Sequence, residues 1–268
     1  MSKPKVLILT GYGINCEEET KFAFDYAGGE AAVIHINDII SNPSLLNDFQ
    51  IFTFPGGFSY GDDTGSGKAL ANKIRYSLKE EFLRFIERDV LILGICNGFQ
   101  VMVNMGLVPG YDMLGNAQVD LTYNSSNIYQ CRWVNLLFNT NSPCVFTKGI
   151  TNMHIPVAHG EGNFFCDQNV LKKLIDNNQI AARYSNPNGG LANREFPYNP
   201  NGSLYDIASI CSENGRFMGM MPHPERNILF TQQDDWTLLK EQYLYEGKDI
   251  PQESEGIKIF QNAINYFG

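Results

Sequence analysis

Nucleophilic and proton-transfer chemistry has few possible carriers in this chain, which holds six cysteines and four histidines in 268 residues. One cysteine is singled out by its setting. Val90-Leu91-Ile92-Leu93-Gly94-Ile95 is an apolar, branched run of the kind that forms a strand buried on both faces, and Phe99 to Asn104 then takes up helical spacing. Cys96 therefore sits in the turn between a strand and a helix, flanked by Gly94 and Gly98 in the pattern Gly-x-Cys-x-Gly. Such a nucleophile elbow is tight and strained, so small neighbours have a steric job there. Backbone N–H groups and the positive end of a helix dipole at that place favour a thiolate over a thiol. A small buried core cysteine is the competing reading, so a base and an oxyanion hole must be found elsewhere.

The base is sought in Pro222-His223-Pro224-Glu225-Arg226. A proline pushes the residue before it into extended backbone and fixes its own φ, and in an extended segment residues two apart face the same way. His223 and Glu225 are expected side by side, with the carboxylate accepting from Nδ1 and Nε2 left to face a nucleophile. Cys96, His223 and Glu225 then make a triad, the histidine as base and the acid as its orienter. The alternative is a turn carrying a surface ion pair between Glu225 and Arg226. His35, His154 and His159 have no acid held with the same rigidity; Glu161 follows His159 only through Gly160.

The oxyanion hole is sought in Pro55-Gly56-Gly57-Phe58-Ser59-Tyr60-Gly61-Asp62, a glycine-rich loop after an apolar strand. Adjacent glycines let a backbone N–H approach a reacting atom with no Cβ in the way. The Gly57 N–H and the Asn97 N–H, the latter just after the nucleophile, are the expected donors. A tight turn with no further role is the alternative.

These groups need a scaffold that brings residues 57, 96 and 223 to one place. Val6 to Thr10, Ala31 to Ile36 and Gln50 to Phe54 read as short strands, Glu17 to Ala27 as a helix, and Lys68 to Glu87 as one helix leading into the elbow strand. Strands alternating with helices imply a parallel sheet, whose carboxyl edge is where ligands bind. Residues 111–151 read as short strands of an antiparallel flap or sheet extension. Ile155 to Ala158 then leads to His159-Gly160-Glu161-Gly162, a second polar loop placed to line a pocket. Residues 186–201, rich in Asn, Pro and Gly, read as a long exposed loop with little chemistry. Ser203 to Ile210 and Phe217 to Met221 form a strand pair across Glu213-Asn214-Gly215. The expected fold is α/β, one domain over residues 1–268, with a central mostly parallel sheet flanked by helices. Cys16 is read as structural.

Composition narrows the partners. The chain is 43% hydrophobic and 18% charged, with a formal net charge of −9, which argues against a nucleic-acid surface and against anchoring to anionic lipid. Its apolar runs are too short for a signal sequence or a membrane span. The scattered cysteines contain no Cys-x-x-Cys pair, which points to a reducing cytoplasm and no structural metal. Gly11-Tyr12-Gly13 does not complete a dinucleotide fingerprint, and no phosphate-binding loop of the Walker type occurs.

The segments 94–100, 55–62 and 220–226 together resemble class I (triad) glutamine amidotransferases, whose fold is flavodoxin-like. With Ile155 to Phe164 the likeness narrows to the branch that serves as glutaminase subunit of an amidating synthase in purine biosynthesis. The resemblance spans roughly residues 6–227. It implies Cys96 as nucleophile, His223 as general base and acid, Glu225 as its orienter, Gly57 and Asn97 as oxyanion donors, and Gln100, His159, Gly160 and Glu161 near the glutamine. It further implies a γ-glutamyl thioester, ammonia passed to a large synthetase subunit, with a small accessory subunit in the complex, and no cofactor on this chain, ATP and Mg belonging to the synthetase. A glutaminase for another synthetase, a hydrolase of another γ-glutamyl substrate, and a non-catalytic binding subunit of the same fold are the alternatives. Residues 231–255 depart from the pattern as an insertion, in which 234–244 reads as an amphipathic packing helix.

Overall fold

Short branched runs separated by amphipathic stretches become strands and helices in alternation over the first hundred residues, with two α-helices in succession before the fourth strand. The computed structural model describes residues 3–62, 64–110, 112 and 114–268. In chain order, the first elements are β1 (Lys5–Thr10), α1 (Glu17–Tyr26), β2 (Glu30–His35), α2 (Ile36–Ser41), β3 (Ile51–Phe54), α3 (Lys68–Ser77), α4 (Lys79–Glu87), β4 (Leu91–Ile95) and α5 (Asn97–Asn104). There follow β5 (Asp120–Tyr123), β6 (Gln130–Phe138), β7 (Asn152–His159), β8 (Glu161–Phe165), α6 (Gln168–Asp176), β9 (Ile180–Ser185), β10 (Ile207–Cys211), β11 (Phe217–Met220), α7 (Trp236–Tyr245) and α8 (Ile257–Asn265).

Nine strands form one sheet in the order β2-β1-β3-β4-β11-β10-β9-β6-β7, and β5 pairs with β8 apart from it. Pairing is parallel from β2 to β11 and antiparallel from β11 to β7. Every residue of β3, β4, β10 and β11 is buried, so both faces of the sheet's middle are covered. The expected mostly parallel sheet flanked by helices is this parallel half, and the antiparallel half extends it. Tyr111, at the start of the stretch expected to form that extension, lies outside the described residues; β6 and β7 provide the extension itself.

Three expectations are corrected. The helix read over Lys68 to Glu87 is two, broken at Leu78 (φ −136°), a buried residue. The break lets Leu70 and Ile74 on one helix and Phe82, Phe85 and Ile86 on the other each turn inward. Residues 186–201 are not simply an exposed loop, because Asn199 and Asn201 are buried and hydrogen-bonded within the site region. Finally, α7 packs only in part: Trp236, Leu239 and Tyr243 are half-buried along one face, with Tyr243 edge-on to Phe230, while Leu238 and Leu244 are exposed.

Candidate active site

The turn after β4 is built as an elbow. Cys96 has φ +52°, a left-handed conformation costly for a side chain with a Cβ. It persists because its surroundings hold it. The Cys96 N–H donates to Met220 O at 2.8 Å, and the Cys96 carbonyl accepts from the N–H groups of Phe99 and Gln100 at the start of α5. A Cβ on Gly98 would lie 1.9 Å from Phe54 O, and one on Gly94 would lie 2.4 Å from Met102 Sδ, so neither position admits a side chain. Cys96 is buried, with its thiol 3.6 Å from Ala158 O.

Because β11 lies parallel to β4, with Met220 opposite Ile95, the chain leaves both strands at the same edge. Pro222 to Arg226 therefore emerges beside the elbow. His223 is pinned through its N–H to Pro156 O at 2.8 Å, and its Nδ1 meets Glu225 Oε1 at 2.5 Å. The pairing matches expectation, but its cause does not. Pro224–Arg226 is a turn of 3₁₀ helix rather than an extended segment, and the tight turn brings the two side chains together.

His223 and His159 are both buried in this site and bind protons very differently. Burial alone would lower the His223 pKa, but the Glu225 carboxylate and then the Cys96 and Cys16 thiols outweigh it and raise the pKa well above 6.5. His223 Nε2 has no hydrogen-bond partner of good geometry, while both thiols are close enough to act on the ring. For His159, burial and then the charge of His223 push the pKa down to about 3. Its Nδ1 meets Asn124 Oδ1 at 3.1 Å and its Nε2 is buried without a partner.

The glycine-rich loop is held by the first loop of the chain. Asn15 N–H donates to Gly56 O and Phe58 N–H donates to Gly13 O, which makes Ile14 and Gly57 a non-hydrogen-bonded antiparallel pair. The Gly57 N–H therefore points away from that pairing, and its φ of +147° suits glycine. The Asn97 N–H opens α5, where no carbonyl of the helix can accept from it. The Asn97 side chain joins the two donors' loops: its Oδ1 accepts from Ser59 N–H at 3.1 Å, and its Nδ2 donates to Asp62 and to Gln100 Oε1.

Gln100 is fully engaged. Besides accepting from Asn97, its Nε2 donates to Glu161 O at 2.6 Å, so its side chain ties α5 to the turn between β7 and β8. Gly160 lies in that turn, and its carbonyl accepts from Asn124 N–H. A polar cavity of about 220 Å³ lined by Gln100, Glu161, Asn104, Lys68 and Thr122 adjoins this side. A larger trough of about 800 Å³ is lined instead by His154, Phe230, Tyr243 and Glu255 and includes no triad residue.

Five residues that single-sequence reasoning passed over belong to this region. Asn124 holds His159; Tyr184, fully buried, accepts from Asn201 Nδ2 and is kept protonated by burial; Arg226 donates to Cys16 Sγ at 3.1 Å. Cys16 Sγ, a His223 nitrogen and a Glu225 oxygen lie within 4.8 Å of one another, among the described residues a cluster with metal-ligand spacing.

The CobB/CobQ-like glutamine amidotransferase domain matches residues 3–267, and the chain belongs to that family. Its relatives are more particular. It is 51% identical over 267 residues to the phosphoribosylformylglycinamidine synthase subunit PurQ of Methanococcus maripaludis, covering 98% of both chains. The subunit of the same name from Dehalococcoides mccartyi is 44% identical, over 99% of this chain and 98% of that one. A chain of the solved PurLQS structure from Thermotoga maritima superimposes with a TM-score of 0.72 at 28% identity, covering all of both chains. No helix among the described residues is long and apolar enough to cross a membrane.

Proposed function

We propose that this chain is the glutaminase subunit of phosphoribosylformylglycinamidine synthase and that Cys96, His223 and Glu225 carry its reaction. The observation that supports it most is a cysteine on a strained elbow beside a buried histidine whose Nδ1 is held by a carboxylate and whose Nε2 is unpartnered. The proton of the Cys96 thiol is taken by His223, whose raised pKa holds it, and Sγ attacks the side-chain carbonyl carbon of glutamine as the thiolate. Charge developing on the carbonyl oxygen is met by the Gly57 and Asn97 N–H groups. Collapse breaks the C–N bond, His223 returns the proton to the leaving nitrogen, and ammonia departs from a γ-glutamyl thioester. Water, deprotonated by His223, then cleaves the thioester to glutamate and regenerates the thiol. Gln100, His159, Gly160 and Glu161 shape the wall on the glutamine side, Gln100 through its ties to Asn97 and Glu161.

The ammonia goes to a large synthetase subunit, with a small accessory subunit in the assembly, and ATP and Mg are used there. Support comes from relatives named as synthase subunits and from a 35% identical match to 20% of the phosphoribosylformylglycinamidine synthase of Dictyostelium discoideum, where the same region is part of a longer chain. A cytoplasmic location goes with this reading. The test is glutamate release from glutamine, alone and with the synthetase subunit, ATP and formylglycinamide ribonucleotide, for wild type and Cys96→Ala. Release that rises with the partner and vanishes in the variant supports the coupled glutaminase; release independent of Cys96 under every condition overturns it.

A further inference from the structure

Cys16 is distant in sequence from the triad yet meets it in space. It is 1% exposed, its N–H donates to Gly56 O at 3.2 Å, and its sulfur accepts from Arg226 Nη2 at 3.1 Å. A Cβ placed on Gly56 would lie 3.0 Å from Cys16 Sγ and 2.9 Å from His223 Cε1. Three segments around residues 16, 56 and 223–226 thus converge on one point. Neighbouring Arg226 Nε stands 3.6 Å from Glu19 and 3.9 Å from Glu225 Oε1, the oxygen that holds His223.

We propose that Cys16 is a positioning residue of the glutaminase reaction, acting as a neutral acceptor that keeps the Arg226 guanidinium off Glu225 while bracing the Gly56–Gly57 loop against His223. This rests on the glutaminase reading above. Arginine is an obligatory donor with a planar fork that seeks a carboxylate, and Glu225 is within its reach. Were the guanidinium to close on Glu225, it would compete with Nδ1 for Oε1 and weaken the charge that makes His223 a strong base. The sulfur and Glu19 hold it aside. Burial raises the Cys16 pKa, so the thiol stays neutral and adds no second anion beside the triad. Spacing alone would suit a soft metal ion. The Arg226 charge beside the sulfur opposes a cation there, and Nδ1 is committed to Glu225. Cys16 does not touch the reacting carbonyl; it works through Glu225 and Gly56.

The test compares Cys16→Ala, Cys16→Ser, Arg226→Gln and the double variant Cys16→Ala/Arg226→Gln in the assembled complex. Cys16→Ala is expected to lower kcat by about tenfold with KM for glutamine changed by less than about twofold, as a misplacement remote from the substrate does. The His223 titration, followed by NMR on ring-labelled histidine, moves to lower pH. Cys16→Ser recovers most of both, and the double variant exceeds Cys16→Ala because no guanidinium remains to swing. A wild-type kcat and titration in Cys16→Ala, or a double variant no better than the single, overturns the proposal. If Cys16→Ala does not fold, Cys16→Ser still decides: it must keep the wild-type His223 titration. The NMR readout stands even if no condition yields Cys96-dependent glutamate release, so failure of the glutaminase reading is seen separately.

Discussion

The turn at 158–162 and the turn at 222–226 each bury a histidine at the same edge of the sheet, and they hold it in opposite protonation states. His159 faces an amide, Asn124, and burial drives it to a pKa of about 3; His223 faces a carboxylate, Glu225, and is raised well above 6.5. Residue type and burial are shared, so the neighbours make the difference: the Glu225 carboxylate and then the Cys96 and Cys16 sulfurs raise one ring, while the charge of His223 adds to burial in lowering the other. One ring is a fixed neutral wall and the other a base that carries a proton. The two also have opposite consequences for stability. With its folded pKa raised, His223 contributes stability that is present below its unfolded value and lost as pH rises through the folded one. With its folded pKa lowered, His159 favours the fold above pH 6.5, and that contribution is lost as pH falls toward about 3.

The comparison can be broken most forcefully at Glu225. Glu225→Gln should turn His223 into a second His159, lowering its pKa and cutting kcat by roughly 10³–10⁴, the scale seen when a triad acid becomes an amide. NMR titration of His223 checks it, and a ring that still titrates high would remove Glu225 from the account. The converse change is Asn124→Asp, which gives His159 the partner His223 has. His159 should then protonate near neutral pH, repel the His223 charge and reduce glutaminase activity by about tenfold. An unchanged His159 titration would show that burial outweighs the partner. A smaller effect is expected from His159→Gln. Its acid unfolding midpoint, read by circular dichroism, should shift to lower pH because no buried ring must charge, at a cost of about 1 kcal/mol at neutral pH from a lost hydrogen bond. The smallest belongs to α7, remote in kind from either turn: Leu238→Ser should change unfolding free energy by less than about 0.5 kcal/mol and leave both titrations in place.

What was legible in the sequence divides along the same line as local and long-range contact. Val90 to Ile95 announced itself because a fully buried parallel strand must be apolar throughout, and the glycines around Cys96 mark a turn that tolerates no Cβ. His223 and Glu225 were readable as a pair because two prolines constrain so short a segment, although the turn proved 3₁₀ rather than extended. Cys16, Asn124, Tyr184 and Asn201 were not legible as parts of the site. Each acts through a partner 17 to 210 positions away, as in Asn201 to Tyr184 and Arg226 to Cys16, and no spacing rule reaches that far. The misreading of α7 has a different cause. Its apolar residues suggest a buried stripe, but Trp236, Leu239 and Tyr243 are only half-covered and Leu238 and Leu244 face outward.

The sheet order has a consequence for how the molecule is made. β4 and β11 are neighbours in the sheet, Ile95 beside Met220, yet more than a hundred residues separate them in the chain. Closing so long a loop is slow, and during synthesis it waits until the late strand has left the ribosome. Until then the Cys96 turn lacks the carbonyl of Met220 that anchors it and the His223 imidazole that its sulfur interacts with. Cys96 is therefore translated early and joined by His223 late, so a truncated or half-made chain carries the cysteine without the imidazole that completes its surroundings.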